Sequence, residues 1–110
     1  MTAIALEAIP QIEILPGFKA RMIHTDRTTT AFWEIEQGSV LPLHHHIHEQ
    51  ISIVTKGELE LTVDGITHVL SPGQVLVIPS NVPHTGRALT DVEVTDVFSP
   101  VREDYAQWTT

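Results

Sequence analysis

The chain has 110 residues, a net charge of −8 with its histidines neutral, and no cysteine, which is length enough for one hydrophobic core and excludes disulfides, thiolate zinc sites and iron–sulfur clusters. Any metal must therefore be held by nitrogen and oxygen. The basic residues Lys19, Arg21, Arg27, Lys56, Arg87 and Arg102 are scattered, the N-terminus lacks the pattern of a secretory leader, and the apolar runs fall short of a membrane span, so neither nucleic acid nor membrane is expected as a partner and the expected location is cytoplasmic.

The chain opens on an apolar stretch, with Ile4, Leu6, Ile9, Ile12 and Ile14. It is expected to add an edge strand across a partner and so cover exposed hydrogen-bonding groups. Beyond Pro16-Gly17 the apolar residues alternate with a period of two, which predicts strands over 19–24 and 30–36. Gly38 precedes the run His44-His45-His46-Ile47-His48-Glu49-Gln50, and a strand over 50–55 follows up to Lys56-Gly57. In 58–63, Leu59, Leu61 and Val63 face one way while Glu58, Glu60 and Thr62 face the other. Asp64-Gly65 then separates this run from 66–70, a strong hairpin signal. Ser71-Pro72-Gly73 leads to a strand over 75–78, Ser80-Asn81 to one over 84–88, and a last strand covers 92–98. Only the turn after Pro100 reads as helical. Many short strands separated by Gly and Pro predict an all-β sandwich or barrel, with 1–110 as a single domain.

The histidine run carries the chemistry. Imidazole is the commonest protein metal ligand, and a strand sends residues i and i+2 to one face. His44 and His46 can then grip one ion if the segment is extended. Gln50 can turn its carbonyl to the same side if a strand resumes there, and His84, from a distant strand, completes the set. His45 is expected to point away. His48 shares parity with His44 and His46, and Glu49 is an alternative carboxylate, so the residues alone leave both open. His24 and His68, single histidines on apolar strands, are expected to be packed residues. Three imidazoles and one amide bring no negative charge, so a divalent ion would keep its full charge and act as a strong Lewis acid, with two octahedral positions open. No ligand selects by softness, which leaves nickel, manganese, iron, cobalt, zinc and copper.

These residues resemble a family pattern. Gly38, His44, His46, Gln50 and Gly57 match the spacing of the first cupin motif (about 38–57), with glutamine where glutamate is usual. Gly73, Pro79, Asn81 and His84 resemble the second (about 73–88). Asn81 stands where that motif has glycine, and Asn tolerates left-handed backbone. The stretch between the motifs, 58–72, is short, as in minimal microbial cupins. The resemblance implies a double-stranded β-helix, or jelly-roll, barrel with His44, His46, Gln50 and His84 as metal ligands, and it leaves His48 and Glu49 out.

The tail 96–110, beginning Asp96-Val97-Phe98-Ser99-Pro100-Val101-Arg102, is similar to that of the small pectin-degradation cupins. Those enzymes are usually dimeric, linearise 4,5-unsaturated monouronates, and also carry glutamine at the third ligand position. The likeness implies a sugar-acid substrate and functional roles for Asp96, Phe98 and Arg102. Arg102 can hold a carboxylate with a bidentate fork, Asp96 can act as general acid or base, and Phe98 can wall the sugar face. The plainer expectations are a surface pair of Arg102 with Glu103 or Asp104, Phe98 as core, and Asp96 capping a turn. Tyr105 and Trp108 are expected to pack the tail against the barrel or a second subunit. Ile51 and Ile53, opposite Gln50 in parity, are expected outside and point to a homodimer. Three functions follow: a non-redox isomerase acting on unsaturated uronates, a cupin dioxygenase, or a non-catalytic module binding metal or a small molecule. Fold does not choose among them.

Overall fold

The structure, a computed structural model, describes residues 2–109, with side chains through residue 107. A short 3-10 turn (Leu6–Ala8) precedes ten strands: β1 (Ile12–Leu15), β2 (Phe18–His24), β3 (Thr29–Ile35), β4 (Val40–His44), β5 (Glu49–Lys56), β6 (Leu59–Val63), β7 (Ile66–Leu70), β8 (Val75–Ile78), β9 (His84–Ala88) and β10 (Val92–Ser99). A helix, α1 (Glu103–Thr109), closes the chain. The strands form a six-stranded sheet ordered β1-β2-β3-β10-β5-β8 and a four-stranded sheet ordered β4-β9-β6-β7. All pairings are antiparallel. This is an all-β barrel, as the alternation predicts, in the jelly-roll form that the cupin resemblance implies. No helix among the described residues is long and apolar enough to cross a membrane.

Alternation decides which residues meet. In β6 the buried residues are Leu59, Leu61 and Val63, and truncating such a buried leucine to alanine typically costs about 2–5 kcal/mol. The β6–β7 hairpin turns through Asp64 and Gly65, at φ 50° and 78°. Two consecutive left-handed residues match the right-handed twist of the flanking strands. Gly57 also has positive φ, and any β-carbon there would collide with the Asp91 carbonyl.

Two features add to the expectations. The N-terminal strand β1 pairs with β2 of its own chain, Ile12 opposite Ala20 and Glu13 opposite Lys19, and stands at the edge of the six-stranded sheet. Its apolar side joins this chain's core through Ile14. The stretch before the histidines is itself a strand, β4, paired with β9. Proline and a run of histidines disguised it, since neither follows the simple alternation. Ile51 and Ile53 do lie opposite the inward Gln50, Ser52 and Val54, but they are half-buried rather than exposed. Tyr105 packs edge-on against Trp33 and Phe98 of its own chain. The Trp108 side chain lies outside the described residues.

The core is graded along its length. At one end Val54, Val94 and Ile35 make it wholly apolar. Toward the other end the same inward positions carry Gln50 and Ser52 on β5, Asp96 on β10 and Thr29 on β3, all buried. The register sets Ser52 opposite Asp96 and Gln50 opposite Phe98. Buried polar groups are costly unless hydrogen-bonded, so this end of the barrel is the candidate for a functional site.

Candidate metal centre and its cavity

His44 ends β4 and faces His84, the first residue of β9, in the β4–β9 ladder. The pairing holds the two rings 4.2 Å apart. His46 does not continue the strand. β4 stops at His44, and residues 45–48 form an irregular link before β5. The turn before β9 ties that link down. Asn81 N–H donates to the His46 carbonyl at 2.7 Å, and Ser80 Oγ to the Ile47 carbonyl at 2.5 Å. Asn81 has φ 63°, the left-handed backbone for which it substitutes for glycine. The link carries the His46 ring to 4.9 Å from His84 and 5.5 Å from His44. It also resets strand parity. Gln50 turns inward and is buried, His45 and Glu49 are exposed, and His48 lies half-buried beside His46 and Phe98.

The hydrogen bonds of the three histidines define their free nitrogens. Nδ1 of His44 lies 2.8 Å from the Pro42 carbonyl, Nδ1 of His46 2.9 Å from that of His48, and Nδ1 of His84 2.9 Å from that of Val82. A carbonyl only accepts, so each Nδ1 carries the proton. Burial, with Arg102 and His84 nearby, lowers the His46 pKa to about 4, and burial also lowers that of His84. Both rings are therefore neutral at pH 7, and their Nε2 atoms present bare lone pairs. A backbone partner on the far nitrogen is how metal-binding histidines are commonly oriented. The donor nitrogens of His44, His46 and His84 lie within 4.8 Å of one another.

The fit to a cation rests on atoms that lack a protein explanation. His84 Nε2 is buried with no hydrogen-bond partner. Gln50 Oε1 lies 3.2 Å from His46 Nε2, and the amide's direction follows from its other end. Ser52 Oγ donates to Asp96 Oδ1 at 2.6 Å, so it must accept from Gln50 Nε2 at 3.0 Å. Gln50 thus turns an oxygen lone pair toward a nitrogen lone pair. Two acceptors at that distance repel, and a shared cation converts the repulsion into attraction. Three imidazoles and one amide oxygen suit a divalent transition ion and choose none of them.

Asp96 lies mid-strand on β10, not at a turn. Burial raises its pKa to about 6, against the hydrogen bonds of Ser52 and Gln50 and the nearby Trp33 indole N–H. That indole N–H is buried and makes no hydrogen bond of ordinary geometry. Phe98 belongs to the core and also stands edge-on to His46, ring centres 5.8 Å apart. Arg102 is only 6 % exposed. It forms the expected pair with Asp104, bidentate, with Nε to Oδ1 3.0 Å and Nη2 to Oδ2 2.8 Å. Its guanidinium lies 4.7 Å from the ring centre of Phe98 and 3.8 Å from that of Tyr105. The Arg102 backbone N–H donates to Thr29 Oγ1 at 2.9 Å and docks the tail on β3. Burial opposes its charge, and Asp104 together with Tyr105 more than offsets this.

His44, Gln50, His84, Asp96, Phe98 and Arg102 line one cavity of about 60 Å³. His46 joins the group through its rings' contacts with His84 and Phe98. Half-buried His24 bonds Thr29, and half-buried His68 sits on β7; neither joins the cluster. Sequence reasoning passed over Ser52 and Trp33. Ser52 had a signal, since it shares the inward parity of Gln50 and is polar where a core residue is due. Trp33 reads as ordinary core.

The cupin domain family profile matches residues 31–98, more than half of the chain. Over 99 residues the chain is 29% identical to the pectin degradation protein KdgF of Dickeya dadantii, spanning 87% of this chain and 90% of that protein. It is 37% identical over 65 residues to the protein SchB of Streptomyces halstedii, where the match spans 58% of this chain and 47% of that protein. Among solved structures, KdgF from Halomonas sp. superimposes with a TM-score of 0.89 at 30% identity, covering 96% of this chain and 98% of that one. The chain belongs to the cupin family and within it is similar to the small pectin-degradation cupins.

Proposed function

We propose that this chain is a metal-dependent isomerase that opens the ring of 4,5-unsaturated monouronates to their linear keto form. The observation that carries the reading is the buried Asp96, pKa near 6, in one cavity with the histidine–glutamine cluster and the Arg102 guanidinium. The near-full-length likeness to proteins named for pectin degradation supports the substrate class.

His44, His46, His84 and Gln50 would hold the metal, which as a Lewis acid binds and polarises substrate oxygens. The rest falls to the chain's own side chains. The conversion moves one proton and consumes no oxidant. The anomeric hydroxyl loses its proton and becomes the aldehyde, and the bond from C1 to the ring oxygen breaks. The enol-ether carbon–carbon double bond takes a proton at C4, leaving a ketone at C5. A carboxyl with a pKa near neutrality can both accept and return such a proton, and Asp96 is the candidate carrier. Phe98 supplies an apolar face to the sugar. Arg102, always charged and fork-shaped, suits the uronate carboxylate once its pair with Asp104 gives way.

The test is to follow the enol-ether absorbance of unsaturated galacturonate with metal-loaded protein and an oxygen electrode. Loss of absorbance without oxygen uptake is expected. Oxygen-dependent turnover would replace the isomerase with a dioxygenase, and intact metal binding without turnover would leave a binding module.

We further propose a homodimer through the outer face of β5 and β8. Val75 and Val77, 53% and 55% exposed, lie opposite the half-buried Ile53 and Ile51 in that ladder. Together they make an apolar strip at a sheet edge, a feature proteins usually cover. Val75→Glu with Val77→Glu should convert a dimer into a monomer by sedimentation; a monomeric wild type would remove the proposal.

A further inference from the structure

We propose that Ser52 is a positioning residue that locks the Gln50 amide with its oxygen toward the metal, an inference that rests on the metal-binding reading above. A carboxylate in this position would need no such lock, because its two ends are alike. An amide is not symmetric. Reversed, it would turn an NH2 group, which has no lone pair to give, toward the cation.

The arrangement around Ser52 decides the direction. Ser52 follows Gln50 by two residues on the inward face of β5 and is 1% exposed. Across the ladder its partner is Asp96. The hydroxyl has a single proton, and the short 2.6 Å contact commits it to Asp96 Oδ1. Toward Gln50 the hydroxyl therefore offers only lone pairs, which accept from the amide NH2 at 3.0 Å. For the amide to reverse, Ser52 would have to withdraw its proton from Asp96. The serine so links two functions. It aims the non-histidine member of the candidate ligand set, and its own proton is held by Asp96 Oδ1 across the ladder.

A double-mutant cycle tests this against a merely space-filling role. Wild type, Ser52→Ala, Gln50→Glu and the double variant are titrated with Co2+ by calorimetry, and the cobalt visible spectrum is recorded for each. In the glutamine background, Ser52→Ala should weaken cobalt binding by about tenfold or more, the scale of lost outer partners of a metal ligand. In the Gln50→Glu background, where reversal is meaningless, the same substitution should change affinity by less than about twofold. Equal losses in both backgrounds, or no loss in either, would overturn the proposal. Should Ser52→Ala not fold, the cycle is run with Ser52→Cys, whose sulfur fills the site but accepts poorly. Wild-type protein that takes up no cobalt would instead remove the metal reading on which the proposal stands.

Discussion

The histidine rim and the C-terminal arm face each other across one cavity and are held by different forces. On the rim, each candidate ligand histidine has its far nitrogen on a backbone carbonyl, and His44 and His84 sit opposite each other in a ladder. On the arm, Arg102 is held by a carboxylate two residues away and by two aromatic rings, and α1 is a short terminal helix. Backbone partners leave a ligand little freedom, which suits an ion that needs fixed geometry. Side-chain partners can be exchanged, which suits a substrate that must enter and leave. With its exchangeable partners, the arm is the side expected to yield when a sugar binds.

The sharpest break of this contrast is His46→Ala. It should lower metal affinity by more than about 100-fold, beyond the usual loss for outer partners of a ligand, and abolish turnover with it, as read by elemental analysis after dialysis. Arg102→Ala should lower kcat/KM by about 100-fold, or about 2.7 kcal/mol of transition-state stabilisation, while metal content stays that of wild type. A variant with unchanged kinetics would remove the carboxylate clamp. Arg102→Lys should recover little, because the fork is lost though the charge remains.

Asp96 joins the two regions and gives a pH-dependent prediction. Its folded pKa, about 6, exceeds the ordinary 3.8, so the folded state holds this proton more tightly than the unfolded one. The resulting stabilisation is complete below the unfolded pKa and is lost as pH rises through about 6. Asp96→Asn should therefore raise the melting temperature of metal-free protein at pH 8, by roughly 2 kcal/mol or several degrees. The gain should shrink toward pH 4, while turnover falls at every pH. A melting gain that does not vary with pH would show that Asp96 is not the titrating group.

Smaller effects separate neighbours from participants. Asp104→Asn frees the Arg102 fork and should lower KM about threefold with metal content unchanged, since an exposed partner contributes little to stability. A raised KM would instead make Asp104 the splint that holds Arg102 in place. His48→Ala should alter metal affinity by less than about threefold, because its ring stands beside His46 and Phe98 and outside the group whose donor nitrogens converge.

Most of this barrel was legible because its strands alternate. The 66–70, 75–78 and 84–88 strands fall where the pattern puts them, and the Asp64-Gly65 turn has the left-handed backbone its residues prefer. The cluster was legible in part: spacing marks His44, Gln50 and His84, the resemblance of the tail marks Asp96, Phe98 and Arg102, and all six line a common cavity. The path of the chain through 45–48 was not. The histidine run fits one continuous strand as well as a broken one, and hydrogen bonds from Ser80 and Asn81, more than thirty residues away, select the break. The partner of β1 was equally hidden, because an apolar edge strand pairs as readily with its own chain as with another.

By itself the sequence determined the all-β class, the absence of thiolate ligands and the residue types able to hold a cation, since these follow from composition and periodicity along the chain. Only the tertiary structure decided which nitrogen of each histidine is free, which way the Gln50 amide points, and that Arg102 is buried on Asp104. Those outcomes depend on hydrogen-bond partners brought together across sheets, and no local pattern records which partner will be within reach.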